Sequence, residues 1–599
     1  MSRVTDRVRE AGEKVSRQYR VVDHIVEYLA ADGVDYIFGV DGANIEDLYD
    51  AAHFCDDVTA VLAKHEFSAA TMADGYSRGG ARLGVVAATS GGGALNLVPG
   101  LGESLASRVP VLALVGQAPT TLDGRGSFQD TSGHDGSLSA EALFAAVSLY
   151  CRRVLSPGEI IAALPEAVAA AKRGGPAVLL LPKNVQQGLI DIDGYATPGV
   201  QTPEPSDRRH RTQPARTGDP NLIAHALLRA RGPVTIIAGE QVARHDARAE
   251  LEELRALLSA QVATVPDAKD VSGSPGLGSS SALGVTGVMG HPGVAEAITD
   301  SAVCLLVGTR LSVTARGGLD DALAGVPMIS IGSAPPYLPS THVHTDDLRG
   351  SLSLLTQALA GEYQPTGLRV PDPAPRSELT PPPFDGPGIR YREAMTVLDG
   401  ALPDGVDVVV DAGNTGAAAI HHLPVRRSGR FVVALGMGGM GYSFGAGIGM
   451  AFGRQRRTVV VAGDGAFFMH GMEVHTAVQY RLPVTFVLFN NNAHAMCVTR
   501  EQVFYDDLYS YNRFRPSHLG AGLAAMFPDV PAVDVAEIGQ LRAALQKALN
   551  VDGPSVVSVE CSADEIPPFA PFLSSSVLNS AARQPLSTKE NRTDVITSA

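Results

Sequence analysis

Tryptophan is absent from this chain of 599 residues, and its five cysteines are scattered without metal-ligand spacing. An odd number of dispersed cysteines argues against a disulfide framework and against a cysteine-based zinc site, so we expect a reduced, cytoplasmic protein. No apolar run approaches the roughly 18–20 residues needed to cross a bilayer. The charged N-terminus also lacks the apolar core of a signal peptide.

Acidic residues outnumber basic ones. The chain has 48 Lys and Arg and 63 Asp and Glu, which gives a net charge of −15. A nucleic-acid surface needs clustered Lys and Arg, so this balance argues against one. Small molecules are the expected partners, and we expect no membrane partner.

Glycine and proline are abundant instead, with 64 and 39 copies, and 45% of the residues are hydrophobic. Strand and helix patterns alternate along the chain, which predicts α/β domains with doubly wound parallel sheets. The length exceeds what one core accommodates. The predicted division is an N-terminal arm (1–19), a first domain (20–190), a linker (191–220), a central domain (221–361), a proline-rich linker (362–390), a third domain (391–573) and a flexible tail (574–599).

The third domain contains the most informative stretch. Val459–Ala462 is an apolar run typical of a buried parallel strand, and Gly463-Asp464-Gly465 follows it. Apolar spacing predicts a helix from about Phe467 to Tyr480, with Phe468 and Met472 among its apolar positions. Val484–Phe489 predicts a second buried strand.

Asn490-Asn491 stand at the end of that second strand. In a strand-helix-strand unit the parallel strands lie side by side or nearly so, which places Asp464 and Asn491 at the ligand-binding edge of the sheet. A carboxylate, an amide oxygen and a backbone carbonyl, expected from Ala493, suit Mg²⁺ with a bound diphosphate. The glycines beside Asp464 and the following helix N-terminus favour the anion.

GDG followed about thirty residues later by NN resembles the thiamine diphosphate and magnesium motif of the acetolactate synthase, pyruvate decarboxylase and benzaldehyde lyase group. The resemblance implies a PYR-type first domain, a PP-type third domain and the cofactors thiamine diphosphate and Mg²⁺. It implies a carboligase or lyase acting on a 2-oxo acid donor and a carbonyl acceptor. The alternative is a non-oxidative 2-oxo acid decarboxylase that releases an aldehyde, and a non-catalytic relative is a further possibility.

The same resemblance implies a set of cofactor-binding residues. They are Gly413, Asn414, Thr415, Gly438, Met440, Gly463, Asp464, Gly465, Ala466, Asn491, Ala493 and Met496, with Asp464, Asn491 and Ala493 as the metal ligands. In this interpretation Gly438 offers a backbone carbonyl to the aminopyrimidine, and Met440 bends the cofactor.

The first domain carries its own signals. KHEFSAATMADGYSR resembles the family segment with the glutamate that contacts the aminopyrimidine, which implies a catalytic Glu66. A glutamate in a first helical turn is otherwise most often a dipole-compensating residue. Thr89–Asn96 (TSGGGALN) resembles the family's TSGPG loop. Gly92 replaces the usual proline, as in benzaldehyde lyase.

Asp41 follows a predicted strand, where benzaldehyde lyase has a histidine, and the resemblance implies proton handling there. The competing interpretation is a turn aspartate that accepts its own backbone N–H. Gln129 is a further catalytic candidate, and His134 a weaker one. His421, His422 and His470 are expected to be structural or rim residues.

Gly436, Gly438 and Gly441 match GxGxxG, with Asp464 23 residues beyond Gly441. This is the dinucleotide-binding pattern, so an NAD-dependent dehydrogenase is a rival interpretation. The GDG sequence, the Asn-Asn pair and Glu66 would then have no role.

Two further expectations concern FAD and subunits. Arg310 and Arg316 flank the place where relatives have FDDR, and the missing pattern argues against FAD. The family assembles its site from the PYR-type domain of one subunit and the PP-type domain of another. A homodimer is therefore the expected minimum, and a tetramer is common among relatives.

Overall fold

The computed structural model describes residues 18–80, 83–191, 217–272, 282–362 and 376–573. Within these ranges, three six-stranded parallel sheets succeed one another along the chain, each flanked by helices. The predicted α/β class with three doubly wound parallel-sheet domains is confirmed. The domain boundaries stay predictions, and most of the N-terminal arm, most of the first linker and the tail after 573 lie outside the described residues.

The first domain contains eight described strands and seven described helices. The strands are β1 (Gln18–Arg20), β2 (Tyr36–Val40), β3 (Thr59–Leu62), β4 (Gly84–Ala88), β5 (Val111–Gln117), β6 (Tyr150–Arg153), β7 (Pro176–Pro182) and β8 (Leu189–Asp191). The helices are α1 (Val21–Ala31), α2 (Glu46–His53), α3 (Glu66–Gly80), α4 (Gly92–Ala106), α5 (Ala140–Ala145), α6 (Ile160–Lys172) and α7 (Lys183–Gln186).

The central domain follows the same alternation. Its described strands are β9 (Val234–Ala238), β10 (Gln261–Thr264), β11 (Ala282–Val285), β12 (Val303–Val307), β13 (Met328–Gly332) and β14 (Thr341–His344). Its described helices are α8 (Asn221–Arg229), α9 (Glu240–Arg244), α10 (Arg248–Leu258), α11 (Gly293–Thr299), α12 (Val313–Arg316), α13 (Asp320–Ala324) and α14 (Leu348–Leu359).

The third domain also alternates strands and helices. Its described strands are β15 (Asp407–Val410), β16 (Phe431–Val433), β17 (Thr458–Gly463), β18 (Val484–Asn490), β19 (Ala532–Val535) and β20 (Ser555–Glu560). Its described helices are α15 (Tyr391–Ala401), α16 (Asn414–His422), α17 (Tyr442–Arg454), α18 (Asp464–His470), α19 (Val474–Gln479), α20 (Ala495–Phe504), α21 (Leu519–Met526) and α22 (Ile538–Leu549).

The first and third sheets share one topology. Their strand orders are β3-β2-β4-β5-β7-β6 and β16-β15-β17-β18-β20-β19, which is the same order once each sheet is numbered from its own first strand. Open α/β sheets bind ligands where the strand order reverses. That point lies between β2 and β4 in the first sheet, and between β15 and β17 in the third.

Gln18 and Tyr19, at the end of the predicted arm, belong to β1, which pairs antiparallel with β8 beside the buried Ile190. One local prediction was wrong. The helix predicted from about Phe467 instead begins at Asp464 and is interrupted by a 3-10 turn, Gly471–Glu473.

The interruption has a packing cause. A Cβ atom on Gly471 would lie 2.1 Å from Cδ2 of Phe467, so the ring packs directly on the glycine backbone. Glu473 is buried by the same turn and accepts the Lys64 N–H at 3.0 Å. Phe468 and Met472, placed on the apolar face in the sequence prediction, are 55% and 45% exposed.

Helices α3 and α17 join the first domain to the third. They run in the same direction, since Gly445 meets Ser68 near their starts and Gly453 meets Tyr76 further along. A Cβ on Gly449 would lie 1.9 Å from the carbonyl oxygen of Met72, so the two backbones approach too closely for a side chain there. Among the described helices, none is both long and apolar enough to cross a membrane.

Candidate active site

The carboxylate of Asp464 sits at the carboxyl edge of the third sheet. β17 and β18 pair in register up to Gly463 and Phe489, which brings their ends together. Asp464 is completely buried and accepts the backbone N–H groups of Asn491 at 3.5 Å and Ala493 at 3.1 Å. Burial raises the pKa of Asp464 to about 6. The side-by-side placement predicted for Asp464 and Asn491 is present.

Two amide oxygens at this edge of the sheet have no hydrogen-bond partner within the described part of the chain. Asn491 donates its side-chain N–H to Tyr391 Oη at 3.2 Å, while its buried Oδ1 is unpaired. Asn414 donates to Thr499 Oγ1 at 3.3 Å, and its Oδ1 is likewise buried and unpaired. Unpaired buried oxygens cost free energy unless they bind something. The Asp464 carboxylate and the Asn491 amide are oxygen donors of the kind that suits a hard divalent cation.

The edge also suits an anion. Gly413, whose φ is +99°, precedes the first turn of α16, and Thr415 Oγ1 lies 3.7 Å from a Cβ placed on Gly463. Helices α16 and α18 both begin at this edge, where their N–H groups and positive ends favour phosphate. Ala466 is in the first turn of α18, and Met496 in that of α20.

The loop between β16 and α17 closes over the same place. A Cβ on Gly465 would lie 3.3 Å from Cε of Met440 and 2.6 Å from Nδ1 of His494. Gly438 has φ of +67° and Gly441 has φ of +87°. The loop predicted to contact the cofactor and the GDG turn are therefore adjacent.

This arrangement argues against the dinucleotide interpretation of the same glycines. β15 lies between β16 and β17, so the strand before GxGxxG does not neighbour the strand that directly precedes Asp464. The N–H groups of Gly436, Met437 and Gly438 already donate to the carboxylate of Glu103. A pyrophosphate would find these donors occupied.

Glu66 begins helix α3 at the carboxyl edge of the first sheet, as predicted, and is only 9% exposed. Its Oε2 accepts the side-chain N–H of Asn96 at 2.9 Å. Its Oε1 lies 2.9 Å from a Cβ placed on Gly93, so any side chain there would collide with the carboxylate. Glycine in the TSGGG loop thus makes room for Glu66.

Of the other first-domain candidates, Gln129 contacts the same loop. Gln129, with φ of +59°, accepts a hydrogen bond from Ser90 Oγ at 3.2 Å. Asp41 is exposed and accepts the N–H of Gly42 at 2.7 Å, which is the bond that the turn interpretation predicted. Desolvation nonetheless raises the pKa of Asp41 above its usual value. His134 is exposed.

Within one chain, the carboxyl edge of the first sheet lies against the loop between β16 and α17 of the third domain. The Phe67 ring lies 3.4 Å from a Cβ placed on Gly439, and its centroid is 4.4 Å from that of His470. Because Phe67 directly follows Glu66, the start of α3 lies beside the loop that carries Gly438 and Met440.

Three profiles of one protein family match the chain. They describe the N-terminal TPP binding domain, the central domain and the C-terminal TPP binding domain of thiamine pyrophosphate enzymes, at residues 19–137, 221–359 and 411–559. The chain belongs to this family. It is a thiamine diphosphate-dependent enzyme of the kind that forms or cleaves carbon–carbon bonds, and it resembles acetolactate synthases.

Full-length relatives support the assignment to the thiamine diphosphate enzymes. A probable acetolactate synthase large subunit of Methanocaldococcus jannaschii is 28% identical over 569 residues, spanning 91% of this chain and 93% of that protein. The acetolactate synthase isozyme 2 large subunit of Escherichia coli is 27% identical over 94% of this chain and 99% of its own. Acetolactate synthase 2 of Nicotiana tabacum is 27% identical over 90% and 81%.

Sequence reasoning missed two polar residues of this thiamine diphosphate enzyme. Tyr391, which begins α15, orients the Asn491 amide. Glu103, a residue of the first domain, accepts hydrogen bonds from the Gly436–Gly438 backbone of the third. Neither belongs to a motif. The signal in the sequence that could have indicated Glu103 is an acidic residue within the mostly apolar helix α4.

A group of side chains outside this site contains two of the histidines that were expected to be structural or rim residues. The side chains of Glu378, His421 and His422 lie close enough to hold a metal ion. However, His421 Nε2 accepts the Leu379 N–H at 3.1 Å, and its Nδ1 is 3.0 Å from the Met289 carbonyl oxygen. Both ring nitrogens are therefore engaged, which fits the structural role expected for this histidine.

Proposed function

We propose that this chain is a thiamine diphosphate- and Mg²⁺-dependent carboligase or lyase that acts on a 2-oxo acid donor and a carbonyl acceptor. The observation that carries the proposal is the buried Asp464 carboxylate beside the unpaired Oδ1 atom of Asn491, on a sheet edge that adjoins the start of α3. The acetolactate synthase names of the relatives support the same reaction class.

Asp464, Asn491 and the Ala493 carbonyl would hold Mg²⁺, and the ion would neutralise the diphosphate. The glycines at 413, 463 and 465 would let the diphosphate approach the backbone, with the start of α16 supplying N–H groups. When bound, thiamine diphosphate supplies a carbon nucleophile that adds to carbonyl compounds. Gly438 would accept a hydrogen bond from the aminopyrimidine, and Met440 would support the bent cofactor.

Glu66 would exchange a proton with the aminopyrimidine ring through one carboxylate oxygen. Asn96 holds Oε2 at 2.9 Å, which fixes the carboxylate while the loop glycines keep the space beside Oε1 open. A carboxylate that is fixed in this way and only 9% exposed supports a role in general acid–base catalysis.

Asp41 and Gln129 would act on the substrate. The raised pKa of Asp41 favours a carboxyl group that donates a proton. In ligation, that proton would go to the acceptor's carbonyl oxygen as the new bond forms. The same proton delivered to carbon would release an aldehyde, so the observation also favours the second candidate, a non-oxidative 2-oxo acid decarboxylase.

We also propose a homodimer or tetramer in the cytoplasm, without bound FAD. Large apolar side chains stay exposed on α18, α20 and the loop after α20, which supports an interface there. They are Phe468, Met469, Phe504, Tyr505, Leu508 and Tyr511. Arg310 stacks over the Tyr337 ring at 4.0 Å, and Arg316 pairs with Asp320 at 3.2 Å, so both arginines have local partners.

Product analysis tests the proposal. The protein is incubated with thiamine diphosphate, Mg²⁺, pyruvate and a panel of aldehyde and 2-oxo acid acceptors. We expect acyloin or acetohydroxyacid products that depend on both cofactor and metal. Free aldehyde as the sole product would establish the decarboxylase, and no conversion of any 2-oxo acid would refute both.

A further inference from the structure

Glu103 is a buried carboxylate of the first domain that binds three successive backbone N–H groups of the third. It lies in α4 and is 2% exposed. Its Oε2 accepts from Met437 at 2.6 Å and from Gly438 at 3.3 Å, and its Oε1 accepts from Gly436 at 3.2 Å. Consecutive N–H groups that converge on an anion form a backbone nest. Here the anion is the protein's own side chain.

Side-chain packing adds little to these hydrogen bonds at Met437. The Met437 side chain is 64% exposed, so it contributes little packing. A Cβ on Gly436 would lie 2.7 Å from Cβ of Ala106 and 3.0 Å from Glu103 Oε1, so only glycine allows this approach. Hydrogen bonds to a buried charge are roughly twice as strong as neutral ones. The carboxylate therefore fixes the path of the loop toward Gly438.

Further buried groups hold Glu103 itself. Ser107 Oγ donates to Oε1 at 2.6 Å, and Arg78 lies 3.4 Å away. Arg78 also pairs with Asp74 at 2.7 Å, and Asp74 accepts the Tyr442 hydroxyl at 2.5 Å. Tyr442 begins α17, directly after the loop. The network therefore holds both ends of the Gly436–Gly441 loop against the first domain.

We propose that Glu103 is a positioning residue that sets the loop before the cofactor binds. This rests on the proposed function, in which Gly438 and Met440 hold the aminopyrimidine. Glu103 then fixes the Gly438 carbonyl and the Met440 side chain relative to Glu66, so that the two domains present one preorganised site. Its contribution is geometric, because it touches only backbone N–H groups of the loop.

The test uses Glu103→Gln, which keeps the volume but loses one acceptor and the charge. Glu250→Gln is the matched control, since Glu250 is a buried carboxylate that pairs with Arg349 in the central domain. Hydrogen–deuterium exchange is measured first on cofactor-free protein. We expect the amides of 436–438 to exchange about tenfold faster in Glu103→Gln and at the wild-type rate in the control.

Cofactor affinity and turnover are measured next on the same proteins. For Glu103→Gln we expect about tenfold weaker thiamine diphosphate binding, and a kcat that stays reduced at saturating cofactor while the KM for the donor is unchanged. Unchanged loop exchange, or faster exchange with wild-type affinity and kcat, would overturn the proposal. If wild-type protein bound no thiamine diphosphate, the proposed function would fail, while the exchange data would still report on the contact.

Discussion

Asn491 donates its side-chain N–H to the hydroxyl of Tyr391 at 3.2 Å, and this bond leaves Oδ1 as the unpaired atom of the amide. Tyr391 is itself fully buried, with its backbone N–H donated to Glu565 at 3.1 Å. A tyrosine at the start of one helix thus orients a proposed metal ligand that directly follows a strand, 100 residues later. Partners that orient metal ligands commonly affect metal affinity.

Replacing that tyrosine tests the orienting bond. Tyr391→Phe keeps the ring but leaves the Asn491 amide free to rotate. We expect Mg²⁺-dependent thiamine diphosphate binding to weaken by about 2- to 12-fold, since one hydrogen bond contributes about 0.5–1.5 kcal/mol. Isothermal titration calorimetry at fixed Mg²⁺ measures this, with Tyr150→Phe as the control. Equal affinities in the two variants would show that the bond does not orient the ligand.

A variant of Glu66 tests whether this residue activates the cofactor. Glu66→Gln should retain the fold and most of the cofactor affinity, but lose proton exchange with the aminopyrimidine. We expect the exchange of the cofactor's C2 proton with D₂O to slow by roughly 10²–10⁴-fold, as followed by NMR after acid quench. Glu46→Gln, which changes the first-turn glutamate of α2, is the control. Wild-type exchange in the Glu66 variant would remove Glu66 from the mechanism.

A variant of Asp41 distinguishes the ligation reaction from simple decarboxylation. With one donor and excess acceptor, Asp41→Ala should lose ligated product more severely than it loses substrate consumption, because the acceptor oxygen no longer receives a proton. The measurement is the ratio of ligated product to free aldehyde in wild type and variant. An unchanged ratio would mean that the hydrogen bond from Gly42 is the whole role of Asp41.

A cluster of buried histidines joins the central and third domains. His291 stacks on His421 with ring centroids 4.6 Å apart, and His422 lies edge-on to His421 at 4.7 Å. Burial is the main cause that lowers the pKa of His291 to about 2 and that of His422 to about 3. The charged groups that face the cluster are Glu378, Lys269, Arg376 and Arg392.

These shifts predict sensitivity to acid. A histidine whose folded pKa lies below its unfolded value of about 6.5 binds a proton more readily in the unfolded chain. Its stabilising contribution is therefore complete above pH 6.5 and decreases as the pH falls toward 3, by about 1.4 kcal/mol per pH unit. Urea unfolding between pH 7 and 4 measures the slope. We expect His422→Gln to give a shallower slope, and an identical slope would contradict the assignment.

The sequence allowed prediction of features that depend on neighbouring residues. A strand, a turn and a second strand within some thirty residues sufficed to bring Asp464 and Asn491 together, and α3 begins at Glu66 as its motif implied. The contact between Glu103 and Met437 joins residues 334 positions apart and follows from the packing of two domains, so no local pattern contained it. The exposure of Phe468 has a similar origin, because it follows from the turn at Gly471 rather than from helical spacing.

The central claim is that Asp464 holds the ion that binds the cofactor's diphosphate. Its most direct test is calorimetric titration of thiamine diphosphate into wild type and Asp464→Ala with Mg²⁺ present. Asp534→Ala serves as the control, because Asp534 binds backbone N–H groups elsewhere in the third domain. The account predicts Mg²⁺-dependent binding to wild type and control, loss of tight binding in Asp464→Ala, and no heat from NAD in any of them. Unchanged thiamine diphosphate affinity in Asp464→Ala would contradict it.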